Sequence, residues 1–276
     1  MTSTDLDSRF DALRSLSVAA GKMTLAHFQK RGLEVEKKED QSPVTIADRE
    51  AETWLRQEIR GQFSEDAVLG EEFGETPGSN DFRWILDPID GTKSFISGVP
   101  LYGTMVGLEF RGEAVMGGVY LPGLDEGIYA AQGQGCWHFQ GEALPVRATT
   151  SSCESLEDAI FVTSEVKTFD RRQGREAYFE MQDACFITRT WGDCYGYLLV
   201  ATGRADVMID PIMSIWDAAA LKPILEEAGG TFTDWGGIPT IEAGEGIGTN
   251  GPLLNAVTQI TPVSYTHLRA HETSPY

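Results

Sequence analysis

The fifteen residues from Trp84 to Gly98, WILDPIDGTKSFISG, constrain this chain more than any other stretch. The apolar run Trp84-Ile85-Leu86 reads as a buried strand that delivers Asp87 to a proline-containing turn, with Asp90 three positions on. Gly91 and Thr92 then open a helix. Two carboxylates at a strand end, beside a helix N-terminus, bring cation ligands and amide donors into one place. Hard oxygen ligands suit Mg²⁺, which takes a few carboxylates and lets a phosphate complete its shell. Unpaired N–H groups and the positive end of the helix dipole suit that same phosphate. The same letters also make a good turn, because Asp bonds its own backbone, Pro fixes φ and Gly accepts positive φ. The rest of the chain decides between the two.

Composition narrows the classes. The 42 acidic against 22 basic residues give a formal charge of −20, which disfavours nucleic acid and anionic membranes as partners. A phosphate substrate would then need local cations, which again suggests bound metal. No apolar run is long enough to span a bilayer. The N-terminus MTSTDLDSRF has neither the basic start nor the apolar centre of a signal peptide, so the expected compartment is the cytoplasm. Cys136, Cys153, Cys185 and Cys194 show no C-x-x-C spacing and read as reduced thiols.

Leu6, Phe10, Leu13, Leu16, Ala20, Met23 and Phe28 recur at near-helical spacing and predict an amphipathic helix over 5–29. A polar segment (34–42) with a possible strand leads to a second helix from Thr45 to about Arg60, then a short strand at 67–69. Residues 103–110 and 113–121 read as two strands joined at Arg111-Gly112, with more short strands through Phe139. The polar stretch 144–155 is a candidate internal boundary. Beyond it come strands near 159–163, 185–190, 206–209 and 231–233. These alternate with helices near 172–183, 194–203 and 215–228, an α/β pattern after a half richer in antiparallel strands. The last stretch, 263–276, fits neither period and reads as a non-native or disordered tail. Its His267 and His271 stand at i, i+4 with nothing to support a helix.

Three further acids accompany Asp87 and Asp90. Glu71 follows a strand in the loop Gly70–Gly74, where it is a ligand or a solvated loop acid. Asp217 stands near the start of an apolar helix and either complements the dipole or serves as a ligand beside unpaired amides. Asp48, three residues after Thr45, has the spacing of a capping-box partner.

Gly70-Glu71-Glu72, Trp84-x-x-Asp87-Pro88-Ile89-Asp90-Gly91-Thr92 and Trp216-Asp217-x-Ala219-Ala220, with the trailing Glu227-Ala228-Gly229-Gly230, resemble the signature set of the inositol monophosphatase family. Order and spacing match over nearly all of residues 5–260. The resemblance implies an α/β fold, a layered αβαβα sandwich of the inositol monophosphatase and fructose-1,6-bisphosphatase type, over 1–262. Its sub-parts would be an α+β part to about 150 and an α/β part over 151–262. It implies two or three Mg²⁺ per site and a phosphate monoester substrate. Glu71, Asp87 and the Ile89 carbonyl would hold one ion, Asp87, Asp90 and Asp217 a second, and Glu71 with water a third. The Gly91 and Thr92 amides would hold the phosphate. Glu71 and Thr92, the latter hydrogen-bonded to Asp48, would position and deprotonate the attacking water. A homodimer is also implied.

Within the family, Ser42-Pro43-Val44-Thr45-x-Ala47-Asp48 and the run from Asp90 to Thr104 resemble the histidinol-phosphatase branch. Substrate contacts would fall to Asp90, Asp193 and Asp210, where inositol enzymes usually show a small residue and Glu at the last two positions. Two acids facing the leaving group suit a cationic amino alcohol, since charge-assisted hydrogen bonds are about twice as strong as neutral ones. The segment Asp210–Trp216 departs from the best-known histidinol phosphatases, which bears on substrate and not on chemistry. An inositol-1-phosphate or broader sugar-phosphate phosphatase, and a non-catalytic regulator of the same fold, are the alternatives.

Overall fold

The computed structural model describes residues 3–38 and 42–261, so the expectations on 263–276 and on His267 and His271 lie outside the described residues. The first helix, α1 (Ser3–Thr24), buries Phe10, Leu13, Leu16 and Ala20. It ends earlier than the apolar spacing predicts. The Thr24 hydroxyl turns back to the Gly21 carbonyl (2.6 Å) and meets the Tyr102 hydroxyl (3.2 Å). Phe28, counted on the helical stripe, instead packs against Tyr102 and Phe95 at ring separations of 5.0 and 5.7 Å. After the hairpin β1 (Val35–Lys37) and β2 (Pro43–Thr45), helix α2 (Ile46–Gln62) starts at Thr45, as expected.

Eight strands follow in the first sheet: β3 (Ala67–Gly70), β4 (Gly74–Thr76), β5 (Phe82–Asp90), β6 (Gly103–Phe110), β7 (Glu113–Leu121), β8 (Glu126–Ala131), β9 (Gly135–Gln140) and β10 (Val146–Arg147). Their order is β10-β9-β8-β7-β6-β5-β3-β4, antiparallel throughout except for the parallel pair β3/β5. The pair β6 and β7 has the predicted bounds. The segment Asp87-Pro-Ile-Asp90 is a bulge within β5 and not a turn after it. Asp87 stands opposite Met105 and Asp90 opposite Gly103, so three steps on one strand face two on the other. Pro88 has no amide to give the ladder, which makes the irregularity natural there. Helix α3 (Thr92–Ile96) starts immediately beyond, as predicted, with Gly91 at φ 81° as its N-cap.

The second sheet holds β11 (Ile160–Val162), β12 (Ile187–Arg189), β13 (Val207–Asp210), β14 (Thr231–Thr233) and β15 (Gly246–Thr249), ordered β12-β11-β13-β15-β14. Only β12, β11 and β13 are parallel. Strand β15, Gly-Ile-Gly-Thr, carries no alternation to read in the sequence, yet it lies antiparallel between β13 and β14. The helix expected near 172–183 is α5 (Arg175–Ala184), and an unpredicted helix, α4 (Val166–Arg172), precedes it across a break where Gln173 takes φ 65°. Helix α6 (Asp193–Ala201) lies where expected. The helix predicted over 215–228 divides into α7 (Ile215–Ala218) and α8 (Leu221–Glu227), and α9 (Leu254–Ile260) follows unpredicted.

These elements stack as five layers. Helices α1 and α2 cover one face of the first sheet, and α6, α7 and α8 the other. The second sheet lies beyond that middle layer, with α4, α5 and α9 outermost around Phe169, Met181 and Val257. One apolar cluster runs from Ile85, Met105 and Val119 through Leu198 and Leu225 to Val162, Met208 and Phe232, so the two sheets share a core across the middle helices. This is the layered αβαβα sandwich that the sequence resemblance implies. No helix among the described residues is long and apolar enough to cross a membrane.

The middle layer sits close to the sheet. A Cβ at Gly117 on β7 would lie 2.0 Å from the Ala220 carbonyl oxygen, a backbone atom that cannot swing away. Gly117→Ala should therefore cost about 1–3 kcal/mol or more through overpacking. Gly61→Ala, in α2 with no atom within 4 Å of the added carbon, should stabilise by about 0.4–1 kcal/mol. Urea unfolding measures both, and equal midpoints for the two variants would contradict the layer contact.

Candidate active site

In a regular strand, residues three apart face opposite sides of the sheet. The extra residue in the β5 bulge cancels that alternation, so Asp87 and Asp90 turn toward one place. Asp217 arrives from α7 in the middle layer. One oxygen of each of these three carboxylates lies within 4.8 Å of the others. Each is also oriented by a backbone amide: Ile89 N donates to Asp87 Oδ1 (3.0 Å), Cys194 N to Asp90 Oδ2 (2.5 Å) and Ser214 N to Asp217 Oδ2 (2.7 Å). The last bond completes a capping box with Ser214, so Asp217 caps its helix and faces the cavity at once.

A cavity of about 800 Å³ is lined by Glu71, Asp87, Ile89, Asp90, Gly91, Thr92, Asp193 and Asp217, together with Lys38 and Trp216. Glu71 lies outside the trio and is held by Lys38, whose ammonium reaches Glu71 Oε1 (2.8 Å) and Glu72 Oε1 (2.6 Å). An adjoining cavity of about 250 Å³ shares Asp90, Asp193 and Asp217 and adds Ser164, Tyr197, Met213 and Asp210. The two proposed substrate acids thus lie together beside the trio.

Ser164 is the link that the sequence reading missed. Its hydroxyl accepts from Asp193 N (2.7 Å), and its amide donates to Asp210 Oδ1 (3.3 Å). Val162 on β11 stands opposite Met208 on β13, so Ser164 and Asp210 emerge side by side at the carboxyl ends of two parallel strands. That is where open α/β sheets build their sites, and the strand ends were the signal available. Asp193 is held at φ 53°, an uncommon conformation for a residue other than glycine. Lys38 and the Lys93–Glu165 ion pair, on residues that line both cavities, were also unread.

One expected contact is absent. The Thr92 hydroxyl donates to the Ile89 carbonyl (3.1 Å), not to Asp48. Asp48 is buried and does what its spacing predicts: Thr45 N and Thr45 Oγ1 both donate to its Oδ2, at 2.8 and 2.6 Å. Its Oδ1 has no hydrogen-bond partner among the described residues. The short local loop closes more easily than a bond across elements, and the helix cap takes the carboxylate.

Burial pushes the clustered aspartates upward. Asp217 and Asp210 reach about 7, Asp193 and Asp48 about 6. Asp87 and Asp90 stand well above the usual carboxylate range, from burial first and then from repulsion by Glu71, Asp193 and Asp217. Glu71 is also raised, because its burial outweighs Lys38. An all-oxygen donor set that cannot keep its charges ionised together fits a small hard divalent cation, which would hold every carboxylate in its charged form.

These shifts set a pH dependence. Between about pH 4 and 7 these acids bind more protons in the folded chain than in the unfolded one, so their contribution to stability falls as pH rises through that window. In excess chelator the Tm should be lower at pH 8 than at pH 5.5, and added Mg²⁺ should restore it most at pH 8. A Tm that rises with pH in chelator would contradict the crowding of these acids.

Comparison with known proteins identifies the family and the fold. The family model described as the inositol monophosphatase family matches residues 5–265. A histidinol-phosphatase from Chlorobaculum parvum is 45% identical over 84% of this chain and 88% of the relative. A histidinol-phosphatase from Mycobacterium tuberculosis is 36% identical over 91% of this chain and 97% of its own length. Among solved structures, an IMPase from Thermotoga maritima superposes with a TM-score of 0.81 at 29% identity, covering 92% of this chain and 96% of that one. The β5 bulge, the Asp217 helix and these matches lead to one conclusion: the chain belongs to the inositol monophosphatase family.

Proposed function

We propose that this phosphatase hydrolyses L-histidinol phosphate to L-histidinol and inorganic phosphate, with Mg²⁺ as its cation. One observation carries the substrate: Asp193 and Asp210, joined through Ser164, line the small cavity beside the Asp87, Asp90 and Asp217 trio. Two acids that desolvation pushes up to about 6 and 7 gain more from a cationic amine than from a neutral polyol. The relatives named histidinol-phosphatase support the same substrate.

Glu71, Asp87, the Ile89 carbonyl, Asp90 and Asp217 are the residues that would hold two or three ions. The chemistry such ions supply when bound is neutralisation of phosphate charge and activation of water. The Gly91 and Thr92 amides, at the start of α3, orient the phosphate oxygens. Glu71 and Thr92 orient the attacking water and Glu71 takes its proton. The ester oxygen departs toward Asp90, Asp193 and Asp210 and leaves as the alcohol once solvent water carries it the proton taken by Glu71, while those carboxylates bind the ammonium and set the alcohol in line.

Phosphate release from L-histidinol phosphate should require Mg²⁺, be inhibited by Ca²⁺ and Li⁺, and exceed release from myo-inositol 1-phosphate, fructose 1,6-bisphosphate and 3′-phosphoadenosine 5′-phosphate. Undiminished turnover in excess chelator, after removal of bound metal, would sink the metal assignment. Asp90→Asn should lower kcat by orders of magnitude with Tm near that of the parent.

The acids at 193 and 210 have their own test. Asp193→Asn/Asp210→Asn loses charge-assisted contacts worth roughly 1.5–3 kcal/mol each. Those contacts bind substrate and transition state alike, so KM for L-histidinol phosphate should rise more than kcat falls. Inositol 1-phosphate should be affected much less. Equal losses on both substrates would make the two acids structural and leave the substrate open to the inositol reading.

A further inference from the structure

Glu71 is the one proposed side-chain ligand that stands outside the Asp87, Asp90 and Asp217 trio. It sits on the loop between β3 and β4, and its amide donates to the Leu86 carbonyl of β5 (3.2 Å). The next two amides point the other way, into α2. Glu72 N donates to Glu52 Oε2 (2.7 Å) and Phe73 N to Glu52 Oε1 (3.2 Å). Glu52 is fully buried, one helical turn beyond Asp48. Its charge is met by Arg56 Nε at 2.7 Å. The Arg56 guanidinium continues across the loop to Thr76 Oγ1 (3.0 Å) and to the Gly74 carbonyl. At Gly70 an added Cβ would fall 2.2 Å from Glu52 Oε1, so the loop closes onto this carboxylate at a glycine.

We infer that Glu52, completed by Arg56, is the positioning residue for Glu71, fixing the peptide between Glu71 and Glu72 so that the Glu71 carboxylate meets the Asp87, Asp90 and Asp217 trio. The inference rests on the cation site proposed above. A carboxylate suits this place because three donors converge on its two oxygens, and each oxygen accepts. Glutamine has the same shape but presents an NH₂ either to the Glu72 amide or to Arg56 and the Phe73 amide, donor against donor. An aspartate keeps the charge and falls a methylene short. Neither replacement can hold both loop amides, although Glu52 touches no ligand of the cation.

The test is a Mn²⁺ titration of the full chain followed by electron paramagnetic resonance, without substrate. Glu52→Gln should weaken Mn²⁺ binding about 10- to 100-fold, the range found when the partners that orient metal ligands are lost. Because Glu52 acts through Glu71, the double variant Glu52→Gln/Glu71→Gln should bind no more weakly than Glu71→Gln alone. Arg56→Gln, nearer the surface, should follow the same pattern, and it carries the cycle if Glu52→Gln fails to fold. Hydrogen exchange over residues 70–76 should also quicken in either variant, a readout independent of metal. Parent-like Mn²⁺ affinity with parent-like exchange, or losses that add in the double variant, would overturn the clamp. A parent chain that binds Mn²⁺ but leaves L-histidinol phosphate intact would instead reject the substrate reading and leave the clamp to the cycle.

Discussion

Like charges at close range in a buried place are the constraint on which this molecule is organised. Oxygens of Asp87, Asp90 and Asp217 lie within 4.8 Å of one another, Asp87 buried and the other two half-buried at the edge of the core. Left to themselves, such carboxylates protonate or move apart. A backbone amide on each one keeps it in place, and these amides belong to three different elements: the β5 bulge, the first turn of α6 and the cap of α7. A cation is the remaining term, and the donor set is made of the oxygens that Mg²⁺ prefers.

That arrangement explains the stacking order. Asp87 and Asp90 come from the first sheet, Asp217 from the middle helices, and Asp210 from the second sheet, so the site exists only where all three layers meet. Close approach of the layers follows from small residues on facing surfaces, as at Gly117 against Ala220. The chemistry and the specificity are drawn from different parts of the chain. The proposed cation ligands lie on or beside β3, β5 and α7, whereas Asp193, Ser164 and Asp210 are carried by the second sheet and the helix that follows β12. Substrate preference can therefore change with little effect on the metal-binding half, which fits a family whose named members include both inositol and histidinol phosphatases.

Much of this was legible in order along the chain. The hairpin β6/β7, the start of α2, the short strand before Gly70 and the carboxylate pair in β5 all rest on local signals: alternation, a capping box and a proline beside aspartates. At Phe28 and at β15 the reading failed because a distant partner intervened. Phe28 has helical spacing, but Phe95 and Tyr102 offer it an aromatic pocket off the helix. Strand β15 has no pattern of its own and exists because β13 and β14 leave a gap that an extended Gly-Ile-Gly-Thr can fill. Asp48 was assigned a partner in Thr92, whereas its nearest donors, on Thr45, took one of its oxygens.

By itself the sequence brought forward the residues proposed to carry the chemistry, because Asp87, Asp90, Gly91 and a helix start follow one another at short range in β5 and α3. It determined the family for the same reason, since such motifs tolerate little change in spacing. Only the tertiary structure decided how Asp87 and Asp90 come to face one side, through a bulge set by pairing with β6. It also decided that Ser164 joins Asp193 to Asp210, and that Glu52 holds the loop of Glu71. Those contacts span 20 to 46 residues of chain, and no local preference encodes a pairing that exists only after two layers have packed together.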